Sequence, residues 1–115
     1  MTTKRGDVVL VQFPRSDLRS FDRRPALVVQ ANGLGTALPQ SVLAMITSNV
    51  SRAGHPSRVL ITLATPAGTA SGLLTDSVIM TDNLATVLEK AIHSVIGTIP
   101  DMADVDAALR RTLAL

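Results

Sequence analysis

Short apolar, β-branched runs recur along the chain and alternate with stretches rich in glycine, proline and polar residues. Runs of this length predict β-strands, and a run that is apolar on both faces predicts a central strand. The predicted strands comprise residues 8–13, 26–30, 41–47, 58–63, 76–80 and 94–99. The intervening segments predict loops at 14–24, 31–40 and 48–57, a Gly-, Thr- and Ser-rich turn before residue 76, and a turn or short helix at 88–91.

The C-terminal segment alone carries a clear helical pattern. Asp101 follows Pro100 and is a good N-cap, and Arg110 and Arg111 in the last turn match the helix dipole. The apolar stripe of this helix is formed by Met102, Val105, Leu109 and either Thr112 or Leu113. The sequence therefore predicts one α+β domain over residues 1–115, a strongly curved, mostly antiparallel sheet closed by a terminal helix.

The composition limits the class of protein. Apolar residues make up 46% of the 115 positions, which excludes a disordered chain. The mean hydropathy is positive, so we expect an apolar face that is buried in a homodimer. The sequence has no cysteine, no signal peptide and no apolar run near the roughly 20 residues that span a bilayer. A cytoplasmic location without a membrane partner is the expectation.

Basic side chains cluster in one short stretch, although the formal net charge is only +2. Such a local excess fits a polyanion such as RNA, and a solvated arginine-rich loop is the alternative interpretation. Because the chain has two phenylalanines and no tryptophan or tyrosine, little base stacking is expected, and arginines and backbone donors must hold any RNA. The cluster comprises Arg15, Arg19, Arg23 and Arg24.

Chemistry can be argued for two residues beside predicted strands. Arg24 precedes Pro25, which favours extended backbone, and its permanently charged guanidinium can hold a phosphate through two hydrogen bonds. Thr47 ends a buried strand, where its hydroxyl could contact a phosphate oxygen. Taken alone, each is more simply explained as structural. His55 and His93 stand apart without neighbouring ligands, so the spacing predicts no metal site and no cofactor.

Four segments in series resemble the MazF/PemK toxin family: RGDVVLV at 5–11, RPALVVQ at 24–30, AMITS at 44–48 and GLLTDSVI at 72–79. The segment VIGTI at 95–99, followed by a helix, completes the likeness. The resemblance implies an SH3-barrel-like homodimer. It also implies the toxin of a type II toxin–antitoxin pair, an endoribonuclease that cuts single-stranded RNA and is neutralised by a cognate antitoxin.

The resemblance also assigns roles to particular residues. The family's catalytic arginine falls on Arg24 and its threonine on Thr47. It implies metal-independent attack of the ribose 2′-hydroxyl on its own phosphate, which gives a 2′,3′-cyclic phosphate and a 5′-hydroxyl. Arginine does not release its proton near neutrality, so we assign electrostatic stabilisation to Arg24 and take Asp22 as the candidate general base. The expected substrate contacts are Arg15, Arg19, Arg23, Ser48 and Ser77.

The alternative is a non-catalytic toxin of the same fold, either a CcdB-like gyrase poison or an RNA-binding module. Growth arrest without RNA scission would indicate the gyrase poison. Salt-sensitive RNA binding without turnover would indicate the binding module.

Overall fold

The structure, a computed structural model, describes residues 2–14, 17 and 19–115, and only the backbone of residues 13, 14 and 21. The strands of this part of the chain are β1 (Asp7–Pro14), β2 (Phe21–Val28), β3 (Gln40–Thr47), β4 (Arg58–Ile61), β5 (Ser77–Leu88) and β6 (Ile92–Thr98). The helices are α1 (Pro66–Ser71) and α2 (Ala103–Leu113), with short 3-10 helices at Val50–Arg52 and Glu89–Ala91.

The six strands form one sheet in the order β4-β5-β3-β2-β1-β6, and every neighbouring pair is antiparallel. Register shifts interrupt the β1–β6 pairing at Val8/Val9 and Leu10/Val11, and the β3–β5 pairing at Ala44/Met45. Bulges of this kind bend a strand and increase its twist. The predicted architecture, a curved antiparallel sheet with a terminal helix, is confirmed.

Apolar side chains cover both faces of the central strands because neighbouring residues of a strand point to opposite faces. Val8 and Leu27 belong to the cluster on one face, which also contains Val105 of α2. Val9 and Ala26, one residue along on the same two strands, belong to the cluster on the other face. The sheet thus has a core on each side.

Helix α2 docks on the sheet through the predicted stripe. At its ambiguous position, Thr112 faces the sheet, with its Oγ1 2.8 Å from the buried Oγ1 of Thr81. Leu113 is half exposed. The prediction of Asp101 as N-cap is wrong by one residue, because Met102 occupies the N-cap position and its side chain makes no capping hydrogen bond. The Asp101 carboxylate nevertheless accepts the N–H of Ala103, the first residue of the helix, at 2.9 Å. Within the part of the chain that the structure describes, no helix has the length and apolar character needed to cross a bilayer.

The prediction of a loop over residues 14–24 is wrong at its C-terminal end. Strand β2 begins at Phe21, and its residues 22–24 pair with β1, so that Arg24 lies opposite Val11. Residues 22–24 are polar and show no apolar strand pattern, and their main-chain pairing with β1 makes them part of the strand. The consequence is that Arg24 is mounted on the sheet and not on a loop.

The prediction of a turn before residue 76 missed helix α1. Its sequence PAGTAS has no apolar periodicity, but Thr65 accepts the N–H of Gly68 at 3.1 Å as N-cap and Pro66 occupies the first turn. The helix ends at Gly72 in the left-handed conformation, with φ 72°. A Cβ atom on Gly72 would lie 2.0 Å from the carbonyl oxygen of Ile96. Only glycine allows α1 to end so close to β6.

Candidate functional site

A cleft of about 710 Å³ opens where β2 and β3 separate. Its walls come from β2, the end of β3, the turn at residues 72–75 and β6. The polar lining residues are Arg23, Arg24, Thr47, Ser48, Thr75 and Ser77. The apolar lining residues are Leu10, Pro25, Ile46, Leu73, Leu74 and Ile96. Charged and apolar walls therefore share one cavity.

Arg24 and Thr47 come from neighbouring strands and line the same cleft. The antiparallel pairing of these strands ends at Ala26 and Met45. Continued two residues further, the same register sets Arg24 opposite Thr47 on the same face of the sheet. Because the ladder ends before this point, the strands part and both side chains line the cleft.

Thr47 holds its hydroxyl in a defined position. Its Oγ1 accepts the backbone N–H of Asn49 at 3.1 Å. Asn49 in turn accepts the N–H of Ser51 at 3.2 Å and caps the 3-10 helix that follows. Since Oγ1 acts as an acceptor in the contact with Asn49, its hydrogen can be donated to a ligand in the cleft.

Arg24 lines the same cleft, and its side chain is largely solvated. Its side chain is 63% exposed, and its Nη2 lies 3.9 Å from Oδ2 of Asp22. An ion pair of this length and exposure restrains an arginine only weakly. The guanidinium can therefore turn toward an anion that enters the cleft.

The remaining predicted site residues divide into two groups. Arg23, Ser48 and Ser77 line the cleft, and the buried Ser77 Oγ donates to the carbonyl of Thr75 at 2.9 Å. Asp22 and Arg19 are not among the described residues that line it.

Arg19 lies on an exposed loop where its N–H donates to Asp17 at 2.9 Å. Backbone N–H groups of Arg19 and Ser20 lower the pKa of the Asp17 carboxyl. Arg15 lies outside the described residues.

Sequence reasoning missed the apolar wall of the cleft. Leu73 and Leu74 stand in the turn that follows α1, and Leu74 is 92% exposed. The signal that could have drawn attention to them is a pair of leucines inside a turn otherwise made of glycine, threonine and serine.

The fold is that of MazF-like toxin structures. An endoribonuclease in complex with its cognate antitoxin from Mycobacterial species matches with a TM-score of 0.76 at 21% identity, over 99% of this chain and 97% of that one. The Mycobacterium tuberculosis toxin MazF-mt6 gives 0.74 at 20% identity, over 95% and 97%. The MazE–MazF complex of Deinococcus radiodurans gives 0.74 at 18% identity, over 100% and 98%. At these identities the likeness shows the fold alone.

The sequence itself shows the family. Residues 4–113 match the model of the PemK-like, MazF-like toxins of type II toxin–antitoxin systems. The chain therefore belongs to this family of toxins, as its motifs predicted. A comparison with curated proteins found no match.

Proposed function

We propose that this toxin is a metal-independent endoribonuclease that cleaves single-stranded RNA in the cleft beside Arg24 and Thr47. The observation that carries the proposal is that Arg24 and Thr47 line one cleft, on strands whose register, continued two residues beyond its last pair, sets them opposite one another. This pair of donors suits a phosphodiester, because the charge that develops during transesterification lies on the non-bridging phosphate oxygens.

The proposed reaction begins with the ribose 2′-hydroxyl next to the scissile phosphate. Asp22 does not line the cleft but lies 3.9 Å from the Arg24 guanidinium, and it is the candidate base that takes the proton of this hydroxyl while the oxygen attacks phosphorus. Arg24 and Thr47 donate to the non-bridging oxygens of the resulting phosphorane. The bond to the 5′-oxygen then breaks while Arg24 stabilises the developing charge, and this oxygen leaves as a hydroxyl with a proton drawn from solvent. The products are a 2′,3′-cyclic phosphate and a 5′-hydroxyl.

The similar structures support the class of reaction and of partner. The Mycobacterial relative is an endoribonuclease bound to its cognate antitoxin, and the Deinococcus radiodurans toxin is held in a MazE–MazF complex. We extend both properties to this chain. The antitoxin is proposed to neutralise it by covering the cleft.

Thr47→Ala is expected to slow RNA cleavage by about 10²- to 10³-fold, the loss typical of one transition-state donor. The measurement is the single-turnover rate on single-stranded RNA, with the ends mapped for cyclic phosphate and 5′-hydroxyl. Thr86→Ala, at an exposed position of β5, is the matched control and should cleave like wild type. Unchanged cleavage by Thr47→Ala would remove this residue from the site. No cleavage by wild type would favour a non-catalytic toxin.

The proposed active form is a homodimer. Large apolar side chains that are 42–57% exposed lie on several elements of the described chain, and they include Leu34, Leu38, Val50, Leu60, Leu88, Val95 and Leu113. Burying part of this surface against a second copy is the simplest way to remove it from water. We expect light scattering at micromolar concentration to give twice the 12.1 kDa of one chain. A mass of one chain would contradict the dimer.

A further inference from the structure

We propose that Leu74, supported by Leu73, forms an aliphatic shelf that packs against one base of the RNA beside the scissile phosphate. This inference rests on the proposed function and deepens it, because it names the part of the cleft that contacts a base. The residues that act on the phosphate contribute charge and hydroxyl groups. The base contact is assigned to the apolar lining of the same cleft.

Leu74 is almost fully in water although the turn that carries it is well fixed. Its side chain is 92% exposed. The preceding residue, Leu73, donates its N–H to the buried Ser71 Oγ at 3.2 Å. Two residues further on, Asp76 accepts the N–H of Leu63 at 2.8 Å. A leucine on a fixed turn needs little backbone ordering when a ligand arrives, and covering its side chain removes apolar surface from water.

The close approach of α1 to β6 fixes the turn from its other end. A Cβ atom on Gly97 would lie 2.3 Å from the carbonyl carbon of Ser71, and a Cβ atom on Gly72 would lie 2.0 Å from the carbonyl oxygen of Ile96. The backbone of residues 71–72 therefore rests directly on β6. The position of Leu74 relative to the cleft is set by main-chain packing rather than by its own side chain.

The arrangement of charge in the cleft indicates a nucleotide as occupant. Arg23 and Arg24 supply the cationic lining, whereas Leu74 and Ile96 belong to the apolar lining. A nucleotide has the complementary character, with an anionic phosphate and a flat, weakly polar base face. The cavity volume of about 710 Å³ lies within the range of about 300–1,000 Å³ typical of small-molecule sites.

Packing against an aliphatic side chain could replace the stacking on aromatic residues that this chain largely lacks. The chain contains no tryptophan or tyrosine on which a base could stack. We therefore add an aliphatic base contact to the arginines and backbone donors that are expected to hold the RNA. A leucine face offers a base contact without hydrogen bonds, so it favours large, apolar base faces over a particular pattern of donors and acceptors.

The experiment measures binding of single-stranded oligonucleotides by fluorescence anisotropy. Their ribose is 2′-O-methylated throughout, so that the attacking hydroxyl is absent. The probe has the sequence that wild type cleaves or, if none is cleaved, one fixed sequence that wild type binds. Leu74→Ala is expected to bind about five-fold more weakly, the lower end of the effect of removing one base contact. Leu115→Ala is the matched control, because this leucine is 82% exposed at the C-terminus and should bind like wild type.

An abasic series locates the contact. With wild type, removal of one particular base should weaken binding by about the same factor as Leu74→Ala. With Leu74→Ala, removal of that base should cost nothing more. If Leu74→Ala loses affinity equally at every abasic position, no single base rests on the leucine and the inference is overturned.

Two further outcomes separate this inference from the proposed function. If wild type cleaves RNA and Leu74→Ala binds RNA unchanged, the shelf is overturned and the ribonuclease stands. If Leu74→Ala binds RNA unchanged but binds the antitoxin more weakly, the shelf is likewise overturned, and the leucine is assigned to contact with a peptide partner. If wild type never cleaves RNA but the leucine and the base are coupled in the binding series, the base contact stands and the ribonuclease proposal fails.

Discussion

Replacing Arg24 with alanine is expected to reduce RNA cleavage by about 10³-fold or more while the protein stays folded. The loss of rate should reach or exceed the loss caused by removing one neutral hydrogen-bond donor, because the guanidinium combines a fixed positive charge with two aligned N–H groups. Folding should be preserved because the side chain is 63% exposed and its ion pair with Asp22 is long, at 3.9 Å. The measurements are the single-turnover cleavage rate and the urea midpoint of unfolding.

Two companion variants define what the arginine supplies. Arg24→Lys keeps the charge but cannot form the bidentate hydrogen bonds of a guanidinium, so its cleavage rate should fall between those of wild type and Arg24→Ala. Arg111→Ala removes an exposed arginine from the last turn of α2, far along the chain from the cleft residues, and should cleave like wild type. Full cleavage by Arg24→Ala would refute the assignment of this residue, whatever the fold.

Local signals drew attention to Arg24 and Thr47, and the family resemblance gave them their roles, which stay predictions. Arg24 precedes a proline at the start of an apolar run, and Thr47 follows a buried one. Their motifs also lay in the order typical of the family. The register that places them opposite one another was not predictable, because it depends on how β2 and β3 pair over residues 26–28 and 43–45.

The apolar wall could not be predicted for a related reason. Leu74 reaches the cleft because α1 rests on β6, and these two elements are separated by the whole length of β5 in the sequence. The helix itself has no apolar periodicity that would reveal it. The strands, in contrast, were largely predictable, since their β-branched runs bury side chains on both faces of the sheet.

The same α1–β6 contact leads to the largest expected effect on stability. Gly72→Ala is expected to lower the free energy of unfolding by about 3–5 kcal/mol, because it combines left-handed backbone with a Cβ 2.0 Å from the carbonyl oxygen of Ile96. The neighbour is main chain and cannot rotate away. Small domains are stabilised by only about 5–15 kcal/mol, so the variant should unfold at a much lower urea concentration.

Two other glycines separate the causes of that loss. Gly33 has φ 64° with nothing within 4 Å of an added Cβ, so Gly33→Ala tests backbone strain alone and should cost about 1–2 kcal/mol. Gly97→Ala tests the clash alone, since its Cβ would meet the main chain of Ser71 at 2.3 Å, and should cost about 2–3 kcal/mol. A loss for Gly72→Ala no greater than that for Gly33→Ala would show that α1 can move away from β6, and the turn that carries Leu74 would then lack its fixed support.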